Sequence, residues 1–189
     1  MRADADGWQA RYQAGGDSGA GSRGANAARK AGYVNAAVIR HNIGSLVDWG
    51  CGDGTVAALI EVERYIGVDI APAAVTRCIE RRKARGAFVV WRDDHNIGVV
   101  ADAAVSLDVA FHFPQDDGGY RVYLRRVFQS ATRLVVVHST DHDDNARSAG
   151  HVQHRRVARD VGVFFPHWQL ASRDDGVNGG VFLTYTPRP

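Results

Sequence analysis

Short apolar, β-branched runs recur along the chain and predict strands. Five of them lie at 45–50, 65–70, 87–91, 104–109 and 134–139. Near-continuous apolar runs of this length are typical of parallel strands that are covered on both faces of a sheet. Two later runs, at 168–173 and 181–187, flank the turn-rich stretch DDGVNGG. That spacing predicts a closing hairpin.

Helical patterns separate these strands. Segment 71–84 places Val75, Cys78 and Ile79 on one face with arginines opposite, and Pro72 stands in the first turn, where proline is tolerated. Further helical patterns lie at 25–43, 55–63, 118–133 and 154–165. The alternation of strand and helix predicts an α/β fold with a doubly wound sheet and helices on both of its faces.

Composition limits the classes of protein that the chain can belong to. Its 189 residues match one domain, 1–189, and no linker divides them. Lys and Arg number 23 against 21 Asp and Glu, so charge makes a nucleic-acid partner unlikely. The two cysteines form no CxxC pair, which suits a reducing compartment. With no apolar signal segment and no membrane-length apolar run, we expect a cytoplasmic protein without a membrane partner.

An N-terminal segment, 1–44, precedes a core at 45–189. Its first part, residues 1–24, is polar and rich in glycine, and we call it the leader. That composition favours disorder. However, Trp8 and Tyr12 lie four residues apart, and two aromatic side chains at helical spacing favour a docking face. Both interpretations stay open at this point.

A glycine-rich loop, DWGCGDG at 48–54, follows the first predicted strand and precedes a helical pattern. Glycines at alternate positions let the backbone turn sharply and approach a ligand, at the edge where α/β sheets bind ligands. A dinucleotide fingerprint would require G-x-G-x-x-G, but Thr55 or Ala57 stands where its third glycine belongs. The loop therefore predicts a ligand site, and the NAD interpretation is weakened.

An acidic residue, Asp69, ends the second predicted strand in the run YIGVDI. A carboxylate at that point, beside the glycine-rich loop, can accept hydrogen bonds from the two hydroxyls of a ribose. Ile70 follows it and could pack on an adenine face. The alternative is that Asp69 only caps the next helix. Together with the preceding loop, the ribose-binding interpretation is favoured.

The runs SLVDWGCGDG, YIGVDI and SLDVAFHF together resemble the successive motifs of class I S-adenosylmethionine (SAM)-dependent methyltransferases. The resemblance implies SAM as cofactor and a Rossmann-like, seven-stranded, mostly parallel sheet whose last strand is antiparallel. It implies the following cofactor contacts: Asp48 near the methionine amino group, with Gly50, Cys51, Gly52 and Gly54 in the same loop; Asp69 and Ile70 at the ribose and adenine; Asp93 or Asp94 at the adenine amino group; and 106–112, with Leu107 and Asp108, along the methionine and the transferred methyl.

A narrower resemblance involves the leader. The runs WQARYQAGGDSGAGSRG, SLDVAFHF and HVQHRR are similar to those of a small subgroup of methyltransferase-like proteins with a GGxSGAGS leader. This resemblance implies that the leader belongs to the fold. We therefore predict that residues 15–24 fold over the bound cofactor as a lid, and that Tyr12 and Ser18 contribute to cofactor binding.

Histidines supply the candidate catalytic groups. Methyl transfer from a sulfonium is an in-line displacement, so the protein aligns the acceptor and in some cases removes its proton. His112, with Asp108 nearby, follows the fourth strand and is the first candidate for the base, although a packing role for His112 stays open. His151 and His154 are three residues apart, and on a helix they would share a face and orient the acceptor.

Two further kinds of site were considered. Histidines and aspartates at 138–144 are suitable metal ligands, but they lack any fixed ligand spacing, so we predict no metal. The run LDVAFHFPQ lacks the Asn/Asp-Pro-Pro-aromatic pattern of base-amino methylation, and neither cysteine is placed as a cytosine nucleophile.

The sequence therefore predicts a SAM-dependent methyltransferase that acts on an oxygen or nitrogen of a small-molecule or saccharide-like acceptor. Two alternatives stay open. One is a non-catalytic Rossmann-like cofactor-binding domain that acts through a partner, and the other is a nucleic-acid or protein methyltransferase, which would show a basic, salt-sensitive surface. The sequence leaves the oligomeric state open.

Overall fold

A seven-stranded sheet forms the centre of the computed structural model, which describes residues 5–83, 85–91, 98–113 and 116–189. The strands are β1 (Ser45–Trp49), β2 (Arg64–Asp69), β3 (Ala87–Val90), β4 (Ala101–Leu107), β5 (Ala131–Ser139), β6 (Trp168–Asp175) and β7 (Val181–Pro187). Their order is β3-β2-β1-β4-β5-β7-β6. β1 to β5 pair in parallel, and β7 is antiparallel to both of its neighbours. The predicted fold class and the antiparallel last strand are confirmed.

Five α-helices surround the sheet within the described residues. They are α1 (Ala5–Gln13), α2 (Gly24–Arg40), α3 (Pro72–Arg81), α4 (Asp117–Gln129) and α5 (Val157–Phe164). In the described part of the chain, none of the helices combines the length and the apolar character that crossing a bilayer requires. Four of the five predicted helical segments correspond to α2 to α5.

The predicted helix at 55–63 is wrong. Only a short 3-10 helix forms there, at Ala57–Leu59, and Ile60 is already extended, with φ −81° and ψ 125°. The side chain of Asn35 on α2 donates to the Leu59 carbonyl at 2.9 Å and accepts from the Glu61 N–H at 2.9 Å. These bonds satisfy backbone groups that a longer helix would otherwise pair internally. A tertiary contact therefore replaces the helical turns that the local pattern favoured.

The two faces of the sheet are covered by different helices. Val47 and Trp49 of β1 pack with α4 and α5, and Leu46 packs with α2 and Cys78 of α3. This division follows from the strand, in which successive side chains point to opposite faces. Helices therefore lie on both faces, as predicted, and the carboxyl edge of the parallel strands is left for other elements to cover.

Residues 5–24 of the leader lie against this edge. Tyr12 of α1 is buried with Ala71 and Ala74 at the start of α3. The guanidinium of Arg77 donates to the carbonyls of Tyr12 and Gly16. After α1 the chain turns through a short 3-10 helix at Ala20–Ser22 and enters α2. The aromatic pair of the leader is therefore a docking face.

Candidate active site

A cavity of about 870 Å³, including the open space at its mouth, lies at the carboxyl ends of β1, β2 and β4. The glycine-rich loop forms its floor, and Trp8, Tyr12, Ser18 and Ser22 of the leader line it from the other side. The two glycine-rich segments of the chain therefore meet at one cavity.

The glycine-rich loop has the backbone that its sequence predicts. Gly50, Gly52 and Gly54 all have positive φ angles, of 84°, 55° and 80°. A Cβ at Gly52 would lie 2.4 Å from the Ser18 hydroxyl oxygen, so a larger residue would collide with the leader. Gly50, Cys51 and Gly52 line the cavity. Gly54 instead faces α3, where a Cβ would lie 2.7 Å from the Cys78 Cα, and its role is close packing of that helix.

The buried carboxyl group of Asp48 lies on the floor of the cavity. Its Oδ2 accepts a hydrogen bond from the Tyr65 hydroxyl at 2.6 Å. Burial raises the pKa of Asp48 to about 6, since removal from water disfavours the charged form. Asp48 is therefore mostly ionised at neutral pH and places negative charge beside the glycine-rich loop.

Asp69, at the end of β2, lines the same cavity. Its Oδ2 accepts from the Gly52 N–H at 3.0 Å, and its Oδ1 accepts from the Ala71 N–H at 2.9 Å. Burial raises the pKa of Asp69 to about 6. A carboxylate has about four lone-pair sites, so both oxygens can accept further bonds. The residue thus supports the start of α3 and also faces the cavity beside Ile70.

Asp108 is held by two partners. It follows β4 with a positive φ of 63°, a conformation that few residues other than glycine adopt. Its Oδ2 accepts from the ammonium of Lys30, which is completely buried, and its Oδ1 lies 2.5 Å from Nδ1 of His138. Burial opposes ionisation, but the His138 hydrogen bond and the Lys30 charge outweigh it and lower the pKa of Asp108. Asp108 is therefore a fixed carboxylate rather than a proton acceptor.

The tautomer of His138 follows from its contacts. Its Nε2 accepts from the Val177 N–H at 3.1 Å, so Nδ1 carries the proton that is donated to Asp108. Lys30 is then the cation that balances this carboxylate. Sequence analysis missed Lys30, although it stands on the apolar face of α2 formed by Ala27, Ala31 and Val34, where a lysine is out of place.

His112 lines the cavity at its mouth and contacts the leader. Its ring lies edge-on to Trp8, with centroids 5.1 Å apart, and is stacked on the ring of His151 at 5.6 Å. Nδ1 of His112 lies 3.2 Å from the His151 carbonyl oxygen. A carbonyl only accepts hydrogen bonds, so Nδ1 is the protonated nitrogen and Nε2 has a free lone pair. Burial lowers the pKa of His112, which favours the neutral ring.

The prediction that His151 and His154 share a helical face is wrong, since residues 151–154 are not helical. His151 stacks on His112, as described above. His154 lies elsewhere: its Nδ1 is 2.9 Å from the Thr140 hydroxyl oxygen, its ring packs on His142 at 4.5 Å, and it is not one of the described residues that line the cavity. Asn145 explains the extended backbone, because its side chain bonds both the N–H and the carbonyl of His154.

The other predicted cofactor contacts are divided between the cavity and the residues that the structure does not describe. Leu107 and Ile70 line the cavity. Asp93 and Asp94 lie outside the residues that the structure describes. Among the described residues, no group of three or more His, Cys, Asp or Glu side chains is arranged to hold a metal ion.

Comparisons with known proteins add to this geometry. No family model matches the chain, and no curated protein matches it. Solved structures do match. The N-methyltransferase NodS from Bradyrhizobium japonicum WM9, in complex with S-adenosylhomocysteine (SAH), has 14% identity and a TM-score of 0.70, with 87% of this chain and 88% of that chain covered.

Two more structures show the same fold. Magnesium protoporphyrin IX methyltransferase (ChlM) from Synechocystis PCC 6803, with bound SAM, has 16% identity and a TM-score of 0.66, covering 84% of this chain and 78% of that chain. The DhpI–SAH complex has 16% identity and a TM-score of 0.68, covering 99% of this chain and 96% of that chain. The chain therefore has the Rossmann-like fold of SAM-dependent methyltransferases.

Proposed function

We propose that the protein is a SAM-dependent methyltransferase that acts on an oxygen or nitrogen of a small-molecule or saccharide-like acceptor. The observation that supports it best is the position of Asp69. Its carboxylate lies at the end of β2, bonds the glycine-rich loop and faces the cavity. In open α/β sheets, an acidic group at this place accepts bonds from ribose hydroxyls. Solved structures of the same fold contain SAM or SAH.

The residues around the cavity fit the parts of SAM. Asp69 would accept from the ribose hydroxyls, Ile70 would pack on the adenine, and Asp48 would attract the methionine ammonium. Trp91 lines the same cavity, and its buried Nε1 has no hydrogen-bond partner among the described residues. A buried N–H of this kind calls for an acceptor, which a nitrogen atom of the adenine would supply. Bound SAM would supply an electrophilic methyl group on a sulfonium.

His112 is the proposed general base. Its Nδ1–H is fixed on the His151 carbonyl, so Nε2 is free to take a proton from the acceptor. The lowered pKa keeps the ring neutral at physiological pH, and Trp8 covers the ring from the leader. The leader would act as the lid that excludes water from this site, with Tyr12 and Ser18 in contact with the glycine-rich loop.

Calorimetric titration of the full chain with SAM and with SAH tests the cofactor assignment. We expect both to bind, and we expect Asp69→Ala to weaken both, because the ribose loses its acceptor. Asp175→Asn is the matched control, since Asp175 is exposed at the end of β6. No binding by the wild type would overturn the proposal. Binding without methyl transfer to any acceptor in a metabolite screen would favour the non-catalytic cofactor-binding domain instead.

A further inference from the structure

The charge on the cavity wall restricts the acceptor. Four carboxyl groups line the cavity, and no lysine or arginine does so within the part of the chain that the structure describes: the four are Asp48, Asp53, Asp69 and Asp108. Asp48 and Asp69 are proposed to hold the cofactor, and Asp108 is the carboxylate that interacts with His112. An anionic acceptor placed beside His112 would find no counter-charge among the described residues that line the cavity, and burial of an unpaired anion is strongly unfavourable.

Three cations that contact cavity-lining residues are paired with carboxylates of the protein. Lys30 is completely buried against Asp108. Arg23 bridges Asp17 and Asp53. Arg11, near the outer face of Trp8, donates to the carbonyl and carboxylate of Asp17. Lys30 and Arg23 are therefore held by carboxylates of the protein, and Arg11 is paired with Asp17 at a half-exposed site that is not part of the described cavity lining.

The groups around His112 favour a cation at the mouth. The Asp108 side chain keeps 20% of its surface exposed and has lone pairs beyond those used by Lys30 and His138. Trp8 and the His112 ring form an aromatic wall beside it. Carboxylates attract ammonium groups, and aromatic faces attract them further. Burial is the main cause of the lowered pKa of His112; among the titratable groups around it, Asp108 raises this pKa, and His151 and Arg11 lower it.

From this arrangement we infer that the acceptor is an amine, which enters as an ammonium and is methylated on nitrogen. The inference rests on the proposed function and narrows it. Its basis is the set of carboxylates in the cavity, where none of the described lining residues is a lysine or arginine, together with the base-competent nitrogen of His112 beside Trp8.

Proton transfer also favours an amine. The neutral His112 Nε2 takes one proton from the ammonium, which leaves a neutral amine and an imidazolium. The amine lone pair forms the new N–C bond as the C–S bond breaks, and the bond electrons stay on sulfur to give neutral SAH. The product is a methylated ammonium, and His112 returns its proton to solvent. Charge is conserved in each step.

Hydroxyl acceptors are less compatible with a cavity lined by carboxylates, because of the charge they carry after losing a proton. An alkyl ammonium has a pKa near 10.4, roughly four units above an ordinary histidine, whereas water, and an alkanol like it, lies near 16. A phenol has a pKa of about 10 but would become an anion among the carboxylates. An ammonium alone loses its proton to become neutral, so only the amine avoids placing a new negative charge in the cavity.

A set of matched small molecules tests the inference. Each carbon skeleton is supplied as a primary amine, an alcohol and a carboxylate, and binding to the SAH-loaded full chain is measured by ligand-observed NMR. Methyl transfer is then measured by SAH release from SAM. We expect amines to be enriched among binders and among methylated products. Enrichment of alcohols or carboxylates, or no enrichment of any class, would overturn the inference.

A matched pair of tryptophan variants tests whether the aromatic wall contributes to amine binding. Trp8→Leu is expected to weaken amine binding by about fivefold, an ordinary cation–π contribution, and to leave alcohol binding unchanged. Trp168→Leu is the control, since Trp168 packs on Phe128 away from the cavity. An equal loss for amines and alcohols in Trp8→Leu would count against the inference.

Failure of the proposed function can be recognised separately. If neither SAM nor SAH binds in calorimetry, the methyltransferase assignment fails. The same set of compounds is then measured on the free chain, because the carboxylates and aromatic rings belong to the protein itself. A preference of the free chain for amines would still support amine binding in this cavity. Without that preference, both the methyltransferase assignment and the inference of an amine ligand would fail.

Discussion

Ser18 and Asp53 exchange two hydrogen bonds across the two glycine-rich segments. The Ser18 N–H donates to Asp53 Oδ2 at 3.3 Å, and the Asp53 N–H donates to the Ser18 hydroxyl oxygen at 3.0 Å. The same hydroxyl group lies 2.9 Å from the Tyr12 hydroxyl. Arg23 adds an ion pair to Asp53. The leader and the glycine-rich loop are therefore joined by hydrogen bonds and an ion pair, and a substitution in either segment should alter the conformation of the other.

Removal of the Ser18 hydroxyl should weaken cofactor binding. In Ser18→Ala, the Asp53 N–H and the buried Tyr12 hydroxyl lose a partner, and an unsatisfied buried group costs about 1–3 kcal/mol. We expect the Kd for SAH to rise by about tenfold in calorimetry. Ser172→Ala on the edge strand β6 removes a hydroxyl far from the cavity and serves as control. An unchanged Kd in Ser18→Ala would show that the leader does not help to hold the loop.

Gly52→Ala should disrupt the same contact from the other side. A Cβ there would lie 2.4 Å from the Ser18 hydroxyl oxygen and 3.2 Å from the Tyr12 hydroxyl oxygen, at a φ of +55°. We expect a lower Tm and a large loss of SAH affinity. Gly162→Ala on α5 meets nothing within 4 Å and should leave affinity unchanged, with equal or slightly higher Tm. Similar behaviour of the two variants would contradict the packing described.

Lys30→Met should destabilise the fold. The substitution keeps the length of the side chain but leaves Asp108 buried without its cation, and breaking a buried pair costs about 3–5 kcal/mol. Urea unfolding at neutral pH measures the loss, with Lys83→Met, an exposed position, as control. No difference between the two variants would show that Lys30 contributes nothing to stability.

The pH dependence of this pair has a definite sign. The pKa of Asp108 is lowered in the folded state, so its contribution is present above the unfolded pKa of about 3.9 and is lost as pH falls through the lower folded value. Protonation would also relieve the unpaired carboxylate in Lys30→Met. The stability difference between wild type and Lys30→Met should therefore shrink in acid, and a difference that grows in acid would contradict the assignment.

His112 should titrate below its usual value of about 6.5. Burial lowers its pKa, so the neutral form persists further into the acid range and activity should fall only below pH 6.5. NMR titration, with His112→Gln used to assign the signal, measures the pKa and the Nδ1–H tautomer. His112→Gln should lose roughly 100-fold or more in turnover at unchanged SAM affinity, whereas His167→Gln, at an exposed site, should not.

Cofactor affinity should depend on pH through Asp69. Its pKa is raised to about 6, so the free protein takes up a proton there as pH falls through that value. Ribose hydroxyls donate to the ionised form, and affinity for SAH should therefore fall below pH 6, by up to about tenfold per pH unit for one proton. Asp48 titrates in the same range, so Asp69→Asn should flatten the profile only in part. A wild-type affinity that is constant across this range would argue against a ribose contact.

Local pattern determined much of the fold and part of the site. β-branched runs gave strand positions because burial on both faces requires apolar side chains at successive positions. The glycines at 50 and 52 and the acid at Asp69 were also predictable, since the carboxyl ends of parallel strands meet at one edge and bring them together. For these residues, neighbours in sequence decide the conformation.

Tertiary structure alone decided the rest. Asn35 bonds the backbone at Leu59, where the sequence predicted a helix over 55–63. His154 contacts Thr140 and does not line the cavity among the described residues. The pairing of Lys30 with Asp108 spans 78 positions, and that of Ser18 with Asp53 spans 35. No local period encodes such contacts, because they arise only when packing brings distant segments together and a buried charge or hydrogen-bonding group must find a partner. By itself the sequence therefore determined where the glycine-rich loop lies, whereas packing decided that the leader contacts it.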